Sequence, residues 1–173
     1  AWAPLAESRA DSERASRWRT HRDALARALE AEAWDGDWYR RGWYDNGVPL
    51  GSRDSDECRI DALAQAWSVI SGVAPRARAE RAMAAVEESL VSEREDLIRL
   101  LTPPFEHTLE DPGYIKGYVA GVRENGGQYT HAALWVVRAF AELGRRDLAA
   151  RLLCMLSPVS HARDNEAARR YKV

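Results

Sequence analysis

The stretch Ala132–Leu143, AALWVVRAFAEL, is apolar nearly all the way round a helix: Leu134, Trp135, Val136, Val137, Ala139 and Phe140 leave no broad polar face. Such a helix is stable only when it is buried on more than one side. The rest of the chain must therefore supply partners around it, and amphipathic helices are the simplest ones available. Immediately before it lies Pro112–Tyr129, a glycine-punctuated loop carrying Lys116, Arg123, Glu124, Asn125 and Gln128, and Tyr129 and His131 flank the junction. Dense polar chemistry on a loop that feeds a rigid buried helix is a common way to build a binding site.

Reading from the N-terminus, a helix is expected from about Asp11 to Ala33, with Trp18, His21, Leu25, Ala28 and Glu32 on one stripe, Leu29 beside it, and Ser8 and Asp11 as candidate caps. His21 reads as a structural or surface histidine. Asp35-Gly36 breaks the pattern. Asp37–Tyr44 is aromatic and short, reading as one or two strands or a hairpin ending at Asp45-Asn46-Gly47, with Asn46 and Gly47 supplying positive φ. Asp45 reads as a turn residue capping its own backbone rather than as a catalytic carboxylate.

Val48–Asp61 is polar, and Arg53, Asp54, Asp56, Glu57, Arg59 and Asp61 are expected to form a self-neutralising cluster rather than an acid/base pair. Asp61 is also a natural cap for a helix over Ala62–Ser71, which Gly72 ends and in which Leu63, Trp67 and Ile70 form the apolar edge. A second helix, Arg76–Val91, turns Ala79, Ala82, Met83, Val86 and Leu90 inward, and the short link makes the two an antiparallel hairpin. Leu97–Leu101 and Thr102-Pro103-Pro104-Phe105 read as extended. Thr130 is a candidate cap for the apolar helix, Gly144 closes it, and Arg146–Leu156 is its partner, ended by Pro158. The fold class expected is all-α: antiparallel helix pairs with small β excursions in the loops, in a single domain over residues 1–173.

Composition removes several functions. The formal net charge of −2 leaves no basic footprint for nucleic acid, and no apolar run approaches the roughly 20 residues of a membrane span. The start, AWAPLAESRADSER, lacks the basic and apolar regions of a secretory signal. Cys58 and Cys154 are far apart and are expected as reduced thiols. His21, His107, His131 and His161 do not have metal-ligand spacing, so no metal is expected. There is no Rossmann glycine fingerprint, P-loop, CxxC pair, HExxH or nucleophile elbow. The absence of an initiator Met and the abrupt tail HARDNEAARRYKV suggest a piece of a longer polypeptide.

Taken together, GSRDSDECRIDALAQAWSVISG, LLTPPF, DPGYIKGY, VRENGGQYTHAALW and the closing HAR…RYKV resemble the C-terminal phosphorylase-like region of cyclic β-1,2-glucan synthases, which belongs with the cellobiose and chitobiose phosphorylases. The match runs from about Trp34 to Val173. The resemblance implies the C-terminal part of an (α/α)6 toroid and an inverting phosphorolysis of β-linked glucan. In that chemistry phosphate replaces the water and base of an inverting hydrolase, and the protein supplies a single acid. No cofactor is implied beyond inorganic phosphate as co-substrate.

By the family pattern His131 contacts phosphate, with Thr130 and the helix N-terminus beside it. Glu124 and Gln128 would bind sugar hydroxyls, Tyr129 would stack or donate, and Arg123 would line the substrate. The alternative for Glu124 is a loop carboxylate paired to Arg123 or Lys116. The family's acid lies in an upstream Trp-Asn-Asp-Gly motif that this chain lacks, so the catalytic acid is unassigned and the chain alone is expected to be inactive. Val119-Ala120 stands where many relatives carry Pro-Pro. Implied partners are a β-glucan oligosaccharide, phosphate and the rest of the parent polypeptide, on the cytoplasmic side of a membrane that other parts of the parent would anchor. Two other readings remain open: a non-catalytic carbohydrate-binding helical module, and a plain helical-repeat scaffold.

Overall fold

The computed structural model describes residues 2–171. Of the closing RYKV motif, Lys172 and Val173 lie outside them. The chain divides into two compact units, Ala1–Trp34 and Asp35–Val173.

In the first unit, helix α1 (Ala3–Ser8) packs on α2 (Ser12–Ala28), which continues as a wider π-helical turn over Leu29–Ala33. Asp11 caps α2, accepting from Arg14 N at 3.1 Å, whereas the Ser8 hydroxyl donates to Leu5 O and caps nothing. Of the expected stripe, Trp18, Leu25 and Leu29 are exposed, and the residue fully buried in α2 is Ala15.

The second unit is built on four helices: α3 (Ala62–Ile70), α4 (Arg76–Leu90), α5 (Thr130–Glu142) and α6 (Arg146–Met155). α3 packs against both α4 and α5, and α5 against α6. The apolar α5 accordingly sits inside, with Ala132, Ala133, Val136, Val137, Ala139 and Phe140 buried. All five inward positions read for α4 are buried, and Asp61 caps α3, accepting from Leu63 N at 2.7 Å.

Three expectations for these helices need correction. The buried face of α3 is Ala62, Gln65, Ala66 and Ser68, while Trp67 is 43 % exposed and Leu63 and Ile70 are half-buried. Small residues let α5 approach closely, and Gln65 is satisfied there: its amide donates to Tyr39 O and Asp61 O, and its carbonyl accepts from Tyr39 N. Thr130 is the first helical residue of α5 and caps nothing, the cap position being Tyr129. Pro158 opens a short helix, α7 (Pro158–His161), and α8 (Asn165–Tyr171) follows. Proline suits a first helical turn because its missing N–H has no partner there anyway.

The β excursions are two-residue antiparallel pairs: β1 (Gly42–Trp43) with β2 (Pro49–Leu50), β3 (Ile60–Asp61) with β6 (Leu101–Thr102), and β4 (Val91–Ser92) with β5 (Leu97–Ile98). In the β1–β2 turn only Gly47 has positive φ. It is Asn46 rather than Asp45 that folds onto the turn, accepting from Val48 N at 3.0 Å. The carboxylates of the 48–61 loop also do not neutralise their neighbours. Glu57 reaches across to accept the backbone N–H groups of Glu106, His107 and Thr108, and Asp61 pairs with Arg41. Arg59 donates instead to Arg53 O. Cys58 and Cys154 are free thiols, the first buried and the second exposed.

Candidate functional site

The loop Pro112–Tyr129 is ordered by its own polar residues. It opens with a 3₁₀ turn, Gly113–Gly117, and then winds back on itself through a Val122–Asn125 bridge. Asn125 is wholly buried. Its amide donates to Phe105 O and Tyr118 O, both at 2.8 Å, and its carbonyl accepts from Phe105 N at 2.7 Å. One side chain thus clips the loop to the TPPF segment.

The two glycines that follow permit a close approach. At Gly127 a Cβ would stand 2.8–2.9 Å from Arg123 O, Arg123 N and Gly121 O; at Gly126, with φ +85°, it would meet Pro104. Gln128 completes the anchorage by accepting from Ile98 N at 3.0 Å. Lys116 donates to Thr108 O, away from Glu124.

This frame, with α3 and the β1–β2 hairpin, encloses a cleft of about 390 Å³ whose wall includes Arg41, Asp61, Tyr114, Glu124, Tyr129 and His131, over an apolar floor of Leu50, Leu100, Leu101 and Phe105. Glu124 is 8 % exposed. The Tyr114 hydroxyl stands 3.5 Å from its Oε1, and Arg123 Nε lies 3.5 Å from Oε2. Glu124 therefore has an ion-pair neighbour as the alternative reading of the sequence had it, but only a loose one. Oε2 accepts no hydrogen bond among the described residues. The Glu124 charge, and a hydrogen bond to it, raise the Tyr129 phenol above its ordinary value.

Tyr129, His131, Trp135 and Trp67 form an edge-to-face series with centroids 4.6, 4.8 and 5.2 Å apart. His131 sits one residue into α5, where the first backbone N–H groups have no partner within the helix.

Of the candidates read from the sequence, the cleft gathers Glu124, Tyr129 and His131. Arg123, Gln128 and Thr130 are not among its lining residues. Arg123 lies 4.8 Å over the Tyr118 ring, Gln128 is anchored to Ile98, and Thr130 is exposed at the helix start. Two groups escaped the sequence reading. One is Tyr114. The other is Arg41, whose Nη1 donates to Asp61 Oδ2 at 2.6 Å. Asp61 is 2 % exposed, and burial pushes its carboxyl upward against the opposing pull of Arg41. The signal was the alternation of an extended chain: successive side chains at Arg40 and Arg41 point apart, one to Asp35 and one to Asp61. Burial likewise pushes the Cys58 thiol up, so it stays protonated in the cleft wall. Among the described residues no His, Cys, Asp and Glu are grouped as a metal ion would need.

Comparison with known proteins shows the family. Residues 1–172 match the glycosyl hydrolase 94 superfamily, catalytic domain. The chain is 53 % identical over its whole length to the cyclic beta-(1,2)-glucan synthase NdvB of Rhizobium meliloti, of which it spans 6 %. It is 30 % identical over 91 % of its length to the cellobionic acid phosphorylase of Neurospora crassa, spanning 20 % of that protein. With the N,N'-diacetylchitobiose phosphorylase of Vibrio proteolyticus it shares 35 % identity over 76 % of its length, or 16 % of that protein. The chain thus spans a fifth or less of these relatives. The resemblance carried by the ENGGQYTH loop and the TPPF segment is a family relationship: this chain belongs to the glycosyl hydrolase 94 superfamily, whose catalytic domain it matches.

Proposed function

We propose that the chain is the C-terminal part of an (α/α)6 catalytic domain that cleaves β-linked glucan by inverting phosphorolysis, and that within a cyclic β-1,2-glucan synthase this reaction sets glucan length. The observation that carries the reading is the convergence of Glu124, Tyr129 and His131 on one cleft in a member of this superfamily. In it His131, with the N–H groups at the start of α5 that have no partner within the helix, holds phosphate by charge-assisted hydrogen bonds. Glu124 accepts from sugar hydroxyls, Tyr129 packs or donates alongside, and Arg123, Gln128 and Thr130 stand outside the cleft lining and support it. The general acid comes from outside these residues: the Trp-Asn-Asp-Gly motif that the resemblance assigns it to is absent from this chain, and Asp61 is engaged by Arg41 and the α3 cap.

No helix among the described residues is long and apolar enough to cross a membrane. In this proposal, anchorage to the cytoplasmic face of an inner membrane belongs to other parts of the parent polypeptide. The test is phosphate-dependent release of glucose 1-phosphate from linear β-1,2-glucan oligosaccharides, on this chain and on one extended upstream. Activity in the extended form alone supports the division of the site. Activity in the short chain overturns the placement of the acid. Silence in both removes phosphorolysis and leaves a carbohydrate-binding module, for which the exposed Trp67 and the adjoining Trp135 speak.

A further inference from the structure

We infer that Arg41 is a saccharide-contacting residue, a fixed hydrogen-bond donor to sugar hydroxyls, and that the buried Asp61 is its positioning residue. The inference rests on the saccharide reading of the cleft given above and adds to it a side chain from the residue just before β1, outside the glycine-rich loop.

Three observations carry it. Arg41 lines the same cleft as Glu124, Tyr129 and His131. Among the described residues its guanidinium is held at one corner: Nη1 donates to Asp61 Oδ2 at 2.6 Å, and Asp61 is in turn immobilised, because its other oxygen accepts from Leu63 N at the start of α3. The backbone of Arg41 is fixed as well, its N–H donating to Leu50 O at 2.8 Å and Gly51 lying so close that a Cβ there would stand 2.7 Å from Arg41 N.

A guanidinium has five N–H donors in a planar fork. With one spent on Asp61, the others keep a set direction. About a third of the side chain is open to solvent, although its partner carboxylate is buried. Fork geometry matches a pair of neighbouring hydroxyls better than it matches a lone acceptor. Charge decides the ligand class. Arg41 and Asp61 are together neutral, so the pair offers directional donors with little net field. That suits an uncharged, hydroxyl-rich ring more than a phosphate dianion, for which His131, at the start of α5, is better placed.

The experiment uses Arg41→Lys in the full-length protein. Lysine keeps the charge beside Asp61 but loses the fork. The KM for linear β-1,2-glucan oligosaccharide is expected to rise about tenfold with the KM for phosphate unmoved, the loss of a good hydrogen bond to a charged donor. A rise in the phosphate KM instead, or no change in either, overturns the inference. If the unaltered protein shows no phosphorolysis, the reading of the site fails separately. Calorimetric binding of the oligosaccharide then decides: weaker binding by Arg41→Lys keeps the sugar contact, and equal binding removes it. Should Arg41→Lys fold poorly, the double change Arg41→Met with Asp61→Asn removes both charges and retains an α3 cap. Wild-type saccharide affinity in that variant would reduce the pair to a structural role.

Discussion

Replacing Asn125 by alanine tests the claim that this side chain holds the loop in place. Asn125 makes three hydrogen bonds, two to the backbone of Phe105 and one to Tyr118 O. Phe105 is 3 % exposed, so both of its backbone groups would be left buried without partners, while Tyr118 O is part-buried and water can reach it. An unsatisfied buried group costs about 1–3 kcal/mol, so two of them and a recoverable third give roughly 3 kcal/mol. For a chain of this size that corresponds to a fall of about 6–12 °C in melting temperature. Thermal unfolding by circular dichroism gives the shift, and hydrogen exchange at the Phe105 amide gives its origin. Asn125→Asp should be worse, since it sets a carboxylate against two carbonyls. A fall below about 2 °C, with Phe105 still protected, would refute the clip and return Asn125 to the surface of a loosely held loop.

Gly127→Ala should be destabilising, because its Cβ would press on backbone that cannot yield, whereas Gly117→Ala meets nothing within 4 Å and should be neutral; paired urea titrations compare them. Burial pushes the Glu57 carboxyl up, but three backbone N–H groups outweigh it and hold the folded value below the ordinary one. Its stabilisation is therefore complete above the unfolded value of about 4.3 and is lost as pH falls through the folded one; Glu57→Gln should be less stable than wild type at pH 7 and equal to it near pH 2. His131→Ala in the extended enzyme should raise the KM for phosphate and lower turnover, by roughly 1.5–3 kcal/mol in kcat/KM, and unchanged phosphate kinetics would take His131 out of the site. Phe140→Ala, in the last turn of α5, should cost about 3–5 kcal/mol in a denaturant titration, because Phe140 is fully buried.

Where periodicity or a local cap decides the structure, the sequence was legible. The stripe of α4 is read directly from its spacing, and Asp61 announces the start of α3 by its place before an apolar run. The buried face of α3 was not legible, because its small residues and Gln65 are selected by the approach of α5 and by Tyr39, which stand far away in sequence. The same distance hid the partners of Glu57 and Asp61. Within the loop, chemistry alone misleads. Asn125 and Gln128 look like ligand donors and are used by the backbone, whereas Glu124, one residue away from Asn125, faces the cleft. Alternation separates Arg41 from Arg40, but the partner that singles Arg41 out, Asp61, stands far along the chain.

The clip at Asn125 has a kinetic consequence. A long loop that closes over its ligand must first lose conformational freedom, and that loss slows capture and weakens affinity. Here the freedom is already lost on folding: Asn125, Gln128 and the packed glycines settle the path of residues 121–128 through contacts within the chain itself. The wall bearing Glu124 meets an incoming chain as a preformed surface. Association should then follow the frequency of encounter, with single-exponential binding whose rate rises linearly with oligosaccharide concentration.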